Sequence, residues 1–137
     1  MPGNSNSGRR PQPTALRLIR GNPGRRPINK NEPKPRAVEP ECPDWLSPEA
    51  KTHWAIIAPE LRDMGVLTFV DGGALAGMCE EWAKFREATE FLQKHGSVYK
   101  TGTNYLSQAP QVSIARNALA NYVRIGQEFG LTPASRS

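Results

Sequence analysis

The sequence lacks the features that mark several broad classes of protein. Its two cysteines are too few for a disulfide framework, which fits a reducing compartment. No apolar run reaches about 18 residues, so no segment is predicted to span a membrane. The N-terminus also has no apolar stretch of the kind found in secretory signals. We therefore expect a cytosolic protein.

Patterns that carry catalysis or bind metals are absent as well. The chain has no P-loop, no G-x-S-x-G and no H-E-x-x-H motif. The two histidines fall on different predicted helices and the two cysteines share no ligand spacing, so we expect neither a metal nor a cofactor. Glu80 and Glu81 are adjacent, but neighbours on a helix do not face each other, which favours a solvated face over a catalytic dyad. The protein is therefore predicted not to be an enzyme.

Proline is concentrated at one end of the chain. Ten of the 13 prolines fall in residues 1–48, and Gly, Asn and Ser crowd the first eight positions. Such a segment buries too little apolar surface to offset its ordering entropy. We predict a flexible, mostly disordered arm over 1–44, a helical core over 45–131 and a C-terminal tail over 132–137. Within the arm, 14–20 is predicted to form one or two helical turns only when something holds them.

The positive charge also belongs to the arm. Residues 1–41 contain nine Lys/Arg and three Asp/Glu, a net charge of +6. Residues 42–137 contain nine Lys/Arg and ten Asp/Glu, a net charge of −1. A basic arm on a near-neutral body suggests a polyanionic partner, most often nucleic acid, although a solubilising tail is the alternative. Leu16, Leu18 and Ile19 lie among the arginines, which favours an element that docks on its own body, a neighbouring subunit or a partner protein. The candidate DNA-binding residues are Arg9, Arg10, Arg17, Arg20, Arg25, Arg26 and Lys30.

Three helical patterns follow the arm, so the predicted fold class is all-α. The first runs from Pro48 to about residue 64 after an N-cap at Ser47, and Pro59 should kink or split it. A long helix over about 69–95 and another from Pro110 to about 129 are each amphipathic, and antiparallel packing is their simplest arrangement. Val98-Tyr99 and Tyr105-Leu106 flank Thr101-Gly102, which predicts a small β-hairpin between them.

Apolar residues on the two long helices follow a heptad spacing. Packing within the core or between subunits is a better explanation of this stripe than stacking of Trp82 and Phe85 on bases. A helix pair of this size buries few side chains, so self-association is favoured over a compact monomer of three helices. The predicted interface residues are Leu75, Met78, Trp82, Phe85, Leu92, Leu119 and Tyr122.

Three blocks of the sequence resemble a known family. They read "RPQPTALRLIRGNPGRRPINKNEPKP", "CPDWLSPEAKTHWAIIAPELRDMGVLTFVD" and "APQVSIARNALANYVRIGQEFGLTPASR". In this order, from about Gly8 to Arg136, they are similar to the small terminase subunits of tailed bacteriophages, a large family with a "PT-L--LRGNPG-RP" arm.

The resemblance implies a role in genome packaging in the cytoplasm of a bacterial host. It implies a homo-oligomeric ring, a nonamer being one form, whose long helices make the subunit interfaces. It also implies two partners, double-stranded phage DNA and the large terminase subunit that carries the ATPase and the nuclease. The arm is assigned to contact with one or the other of these partners.

The chain departs from the family pattern in one respect. Many small terminases place a helix-turn-helix before the ring-forming helices, but residues 1–44 are too rich in proline for one. The helix over 48–64 carries only Lys51 and Arg62 as basic residues, so positioning by charge and DNA shape suits the sequence better than major-groove reading by a helix. A small DNA-binding transcription regulator and a protein adaptor without DNA affinity are the alternatives.

Overall fold

The computed structural model describes residues 12–33 and 38–136, and most of these residues are helical. The predicted all-α fold with one small hairpin is confirmed. No helix in the described part of the chain is long and apolar enough to cross a membrane. In chain order the elements are α1 (Thr14–Ile19), α2 (Pro48–Asp63), a 3₁₀ turn (Phe69–Asp71), α3 (Gly72–His95), β1 (Val98–Lys100), β2 (Leu106–Gln108), α4 (Pro110–Glu128) and α5 (Pro133–Arg136).

Helix α2 begins as the sequence predicts and is not split by its internal proline. The Ser47 hydroxyl accepts a hydrogen bond from the Ala50 N–H at 3.3 Å, and Pro48 occupies the first helical turn. The helix runs uninterrupted through Pro59 to Asp63. Pro59 has no N–H to donate to the carbonyl of Ala55, but Ala55 is exposed, so water can satisfy that carbonyl.

The core lies where α2, α3 and α4 meet. Leu61, Leu75, Met78 and Cys79 are its largest fully buried side chains. Many of its other members are alanines, which lets the helix backbones approach closely because little side-chain volume separates them.

Helices α3 and α4 pack antiparallel, as predicted. A Cβ atom placed on Gly126, near the end of α4, would lie 3.9 Å from the sulfur of Met78, near the start of α3. One turn further along α3, Trp82 contacts Tyr122, which lies one turn earlier on α4. The two sequences therefore run in opposite directions along their contact.

The entry to α3 is closed by a side-chain cap between Thr68 and Asp71. Asp71 Oδ2 accepts hydrogen bonds from the Thr68 N–H at 2.8 Å and from the Thr68 hydroxyl at 2.7 Å. The residues between them form a 3₁₀ turn, so the α-helix proper starts at Gly72 rather than at Phe69.

The hairpin between α3 and α4 is confirmed. Strands β1 and β2 pair antiparallel, with Tyr99 opposite Ser107. The Thr101 N–H donates to the Tyr105 carbonyl at 2.8 Å and closes the loop. All residues of β1 and β2 except Ser107 are exposed, so the ribbon projects from the helical body.

The residues expected to form a C-terminal tail contain helix α5. The Thr132 hydroxyl accepts from the Ser135 N–H at 3.2 Å, which caps this turn, and Ser135 is buried. The Arg136 guanidinium donates to the carbonyls of Gly130 and Leu131 just beyond α4. Arg136 therefore satisfies two carbonyls of the segment that joins α4 to α5.

Candidate nucleic-acid interface

Helix α1 is held against the body by one side chain. Leu16 is only 5% exposed, whereas Leu18 and Ile19 on the same helix are 55% and 41% exposed. Leu16 rests on Gly130, where a Cβ atom would lie 2.9 Å from its Cδ2 atom. Gly130 also has φ of +74°, so both its conformation and the docked leucine favour glycine. Of the three docking partners considered for this element, the structure shows the chain's own body.

The backbone N–H group of the first residue of α1 finds its hydrogen-bond acceptor within the arm. The Thr14 N–H donates to both carboxylate oxygens of Glu32, at 3.3 and 3.2 Å, and the Thr14 hydroxyl also donates to Glu32. Glu32 therefore ties the segment after the turn back to the helix before it. A carboxylate at a helix N-terminus is a favourable pairing of charge and dipole.

The turn after α1 is pinned by Arg17 and Asn22. The Asn22 N–H donates to the Arg17 carbonyl at 2.8 Å, and the Asn22 side-chain amide donates to the Arg26 carbonyl at 2.9 Å. The Arg17 guanidinium donates to the Asn22 side-chain oxygen at 3.2 Å and to the Arg26 carbonyl at 3.3 Å. The Arg17 guanidinium therefore stabilises the turn through these hydrogen bonds.

Three of the predicted DNA-binding residues lie free on this turn and just after it. Arg25, Arg26 and Lys30 are exposed, and their charged groups make no hydrogen bond or ion pair with any residue in 12–33 or 38–136. Their charges remain available, and a guanidinium can bind phosphate oxygens through two parallel hydrogen bonds.

The other candidates differ from this group. Arg20 is half-buried and donates from Nη1 to the side-chain oxygen of Gln12, while its Nε atom is buried without a partner among the described residues. Arg9 and Arg10 lie outside the described residues. The structure thus separates exposed cations from those used in the fold of the arm.

Within the described residues, no group of His, Cys, Asp and Glu side chains could hold a metal ion.

Cys79 is fully buried, and burial raises the pKa of its thiol to about 12. Cys42 is exposed. The buried thiol is therefore unreactive at neutral pH.

The family model described as "Phage terminase, small subunit" matches residues 50–137, which is more than half of the chain. This chain belongs to the phage terminase small subunit family. The matched region begins within α2, so it covers most of the helical body but not the arm. Neither the comparison with curated proteins nor the comparison with solved structures found a match.

The interface residues predicted for this small terminase subunit occupy three environments. Leu75 and Met78 have no exposed surface, because they lie in the core of the single chain. Trp82, Phe85, Leu92 and Tyr122 are half-buried. Leu119 is 39% exposed.

Three of the half-buried residues belong to an aromatic cluster inside the chain, because Phe85 contacts Trp82 with ring centroids 5.7 Å apart and Trp82 also contacts Tyr122. Trp82 stacks on His53 with ring centroids 4.8 Å apart and contacts Tyr122 at 5.2 Å. His53 Nε2 lies 2.9 Å from the Tyr122 hydroxyl. Burial lowers the pKa of His53, although the nearby Glu49 carboxylate opposes this, and burial raises the pKa of Tyr122.

One exposed apolar surface of the body lies along α4. Phe85 of α3 and the outward face of α4 line a shallow groove of about 620 Å³. Leu119 and Val123 in this groove are 39% and 37% exposed, and Arg116 and Arg124 flank them. Of the predicted interface residues, Phe85 and Leu119 therefore line this groove together.

Three residues with structural roles were not predicted from the sequence. Asn22 has φ of +47° in the "GNPG" turn, a conformation that asparagine tolerates well, and the Asn-Pro pair is the signal that could have identified it. Glu32 and Glu80 cap helices 18 and 33 residues away, at Thr14 and Ser47. No local pattern could have revealed contacts at such separations.

Proposed function

We propose that this small terminase subunit binds duplex phage DNA through its arm, self-associates through α3 and α4, and recruits the large terminase subunit. It acts as a packaging adaptor, and the ATPase and nuclease chemistry belongs to the large subunit. The observation that carries the DNA-binding proposal is that Arg25, Arg26 and Lys30 are exposed and have no partner among the described residues, on and just after a turn held by Arg17 and Asn22.

Contacts of this kind give charge-driven binding. Each cation that neutralises a phosphate releases condensed counterions, so affinity falls steeply with salt and depends little on sequence. One arm presents few such contacts. An oligomer would present many arms at once, and the resulting effective concentration would strengthen binding without any new contact.

Self-association is assigned to the groove along α4. Phe85, Leu119 and Val123 present apolar surface there, and Arg116 and Arg124 lie at its border. Leu75 and Met78 would support such an interface from within the chain, because they already fill its core. The resemblance to ring-forming subunits suggests a closed ring of these contacts.

The DNA-binding proposal is tested by replacing both Arg25 and Arg26 with alanine. We expect weaker binding to every duplex and a less negative slope of log affinity against log salt, by about one for each phosphate that is no longer neutralised. Fluorescence anisotropy of labelled duplexes between about 50 and 200 mM salt measures both quantities, a range over which such binding changes strongly.

A matched control removes the same charge from the body. Lys51 and Lys84 are exposed on α2 and α3, and the Lys51→Ala/Lys84→Ala variant should keep both affinity and salt slope close to wild type. Equal weakening in both double variants would show a general effect of net charge. Wild-type affinity in the Arg25→Ala/Arg26→Ala variant at low salt would contradict the arm as a DNA contact.

The adaptor without DNA affinity makes the opposite prediction. In that case no duplex should bind even at low salt, and the wild-type arm should bind the large subunit. Sedimentation of the large subunit with the wild-type and arginine-substituted proteins, in the absence of DNA, separates the two functions of the arm.

A further inference from the structure

The β1–β2 hairpin exposes apolar side chains on both of its faces. Val98, Tyr99, Tyr105 and Leu106 are 53%, 49%, 71% and 61% exposed. A two-stranded hairpin by itself is at best marginally stable in water. The ribbon is therefore suited to a partner that covers these side chains.

The charge around the hairpin favours an anionic partner. No Asp or Glu occurs between Phe91 and Gln127, a stretch that contains the whole hairpin and nearly all of α4. Lys94 at its start is paired with Glu90 at 2.9 Å. Lys100 at the end of β1 is exposed and has no partner among the described residues.

The two faces of the ribbon carry different chemistry. Because Tyr99 pairs with Ser107 and Tyr105 lies two residues before Ser107, both tyrosines lie on one face. Lys100 and Leu106 are paired on the other face. The connecting loop adds Thr103, with its hydroxyl, and Asn104, with its amide, and both are exposed. Lys, Ser, Thr, Asn and Tyr side chains all donate hydrogen bonds to phosphate oxygens.

We propose that the β1–β2 hairpin is a second DNA-contacting element, which enters a groove of the duplex as a two-stranded ribbon. The major groove of B-form DNA is wide enough for such a ribbon. Lys100 supplies the phosphate contact, and Tyr99 and Tyr105 supply contact area and hydroxyl groups. The inference rests on the proposed function in that it takes duplex DNA as the ligand.

The hairpin and the arm are separate enough to test independently. Helix α3 has 24 residues and is about 36 Å long. The hairpin follows its C-terminal end, whereas α1 lies beside its N-terminal end, where Leu16, Asp71 and Ala74 line one cleft. We therefore expect a change in the hairpin to leave the docking of the arm intact.

The first test compares two single lysine variants. Lys100→Ala should weaken duplex binding several-fold at low salt and make the salt slope less negative by about one for each contacting hairpin. Lys51→Ala removes the same charge from an exposed position on α2 and should behave as wild type. Equal affinities for wild type, Lys100→Ala and Tyr105→Ala would overturn the inference.

A second variant removes the whole ribbon. The Ala109 N–H donates to the Ser97 carbonyl at 2.8 Å, so the ends of the hairpin are adjacent and two glycines can replace residues 98–108. We expect lower DNA affinity, wild-type helical content by circular dichroism and the wild-type number of subunits by light scattering. A smaller number of subunits would instead identify the hairpin as an interface between copies of the chain, which would overturn the DNA assignment.

The same binding measurements distinguish a hairpin that does not contact DNA from a chain that binds no DNA at all. If the wild-type chain binds duplex and only the Arg25→Ala/Arg26→Ala variant is weakened, the arm is a DNA contact and the hairpin is not. If the wild-type chain binds no duplex at low salt, the proposed DNA-binding function itself fails, and the hairpin inference fails with it.

Discussion

The Nε2 atom of His53 lies 2.9 Å from the hydroxyl oxygen of Tyr122, and this contact joins α2 to α4. Trp82 of α3 packs on both rings, so all three helices of the body meet at this cluster. His53 is 8% exposed, and its burial lowers the pKa of the imidazole from 6.5. The cluster therefore couples the packing of the body to the protonation of one side chain.

We predict that the protein loses stability as the pH falls below about 6.5. In this range His53 becomes protonated in the unfolded chain but stays neutral in the folded chain, because its pKa is lowered there. Protonation therefore stabilises the unfolded state relative to the folded state. The decrease continues until the pH reaches the lowered pKa of the folded state. Urea unfolding at two pH values, one about a unit above 6.5 and one about a unit below it, followed by circular dichroism, measures the difference.

His53→Gln is the matched variant for this test. Glutamine does not titrate, so the difference in unfolding free energy between the two pH values should shrink, even though the variant is less stable at both. Tyr122→Phe keeps the histidine, so its unfolding free energy should still differ between the two pH values. If the pH dependence of stability is unchanged in His53→Gln, it arises from titratable groups other than His53.

The helical pattern was largely predictable from the sequence because it depends on local signals. Ser47-Pro48 specified the start of α2, and the apolar spacing from Leu75 to Leu92 specified the buried side of α3. What the spacing could not show was how deeply each residue would be buried. Leu75 and Leu92 follow the same heptad pattern, yet Leu75 is fully buried and Leu92 is not, because only the N-terminal half of α3 also packs against α2.

A second prediction concerns the carboxylate of Glu80. Its Oε1 atom accepts from the Ser47 N–H at 2.6 Å, and its Oε2 atom accepts from the Ser47 hydroxyl at 3.2 Å. Glu80 therefore fixes the start of α2 from α3, and Glu80→Ala should cost about 1–2 kcal/mol of unfolding free energy, as removal of a helix cap does. Glu87→Ala, an exposed glutamate two turns further along α3, should change stability by less than about 0.5 kcal/mol.

The interpretation of Glu80 and Glu81 as a solvated pair was incomplete. The two carboxylates do not converge, as expected, since Glu80 turns to Ser47 and Glu81 bonds Asn121 at 3.2 Å and Lys84 at 3.1 Å. Both residues are half-buried between helices. Such contacts depend on how the helices are placed relative to one another, which single-sequence periodicity does not report.

A third prediction tests the docking of the arm. Leu16→Ala removes the side chain that rests on Gly130, so α1 should detach and its backbone should become accessible. Limited trypsin digestion should then cleave after Arg17 and Arg20 faster than in wild type, with the helical body still intact. Leu18→Ala is the matched control, because Leu18 lies on the same helix but is 55% exposed. Equal cleavage rates in the two variants would show that Leu16 does not hold the helix.

A fourth prediction uses the two cysteines. Cys42 is exposed and should react with Ellman's reagent in the folded protein. Cys79 is fully buried, with the pKa of its thiol raised to about 12, so it should react only after unfolding. One equivalent of released thiolate in buffer and two in guanidinium chloride would meet this expectation. Two equivalents in buffer would show that the helices open readily around Cys79.

The last prediction concerns self-association. Trp82→Asp would not test it cleanly, because Trp82 packs on His53 and Tyr122 within the chain and its replacement would disturb the fold. Leu119 is 39% exposed in the groove along α4, so Leu119→Asp should place a charge at the proposed interface while leaving the core intact. We expect a lower solution mass by light scattering with unchanged helical content.

Ile56 provides the control for this test. It is 60% exposed on α2, away from the groove, and Ile56→Asp introduces the same charge. If α4 forms the interface, Ile56→Asp should keep the wild-type mass while Leu119→Asp should not. Equal masses for all three proteins would place any interface between copies elsewhere on the body. Another surface would then have to bring the arms together in an oligomer, and the outer face of α4 would not contribute to the ring.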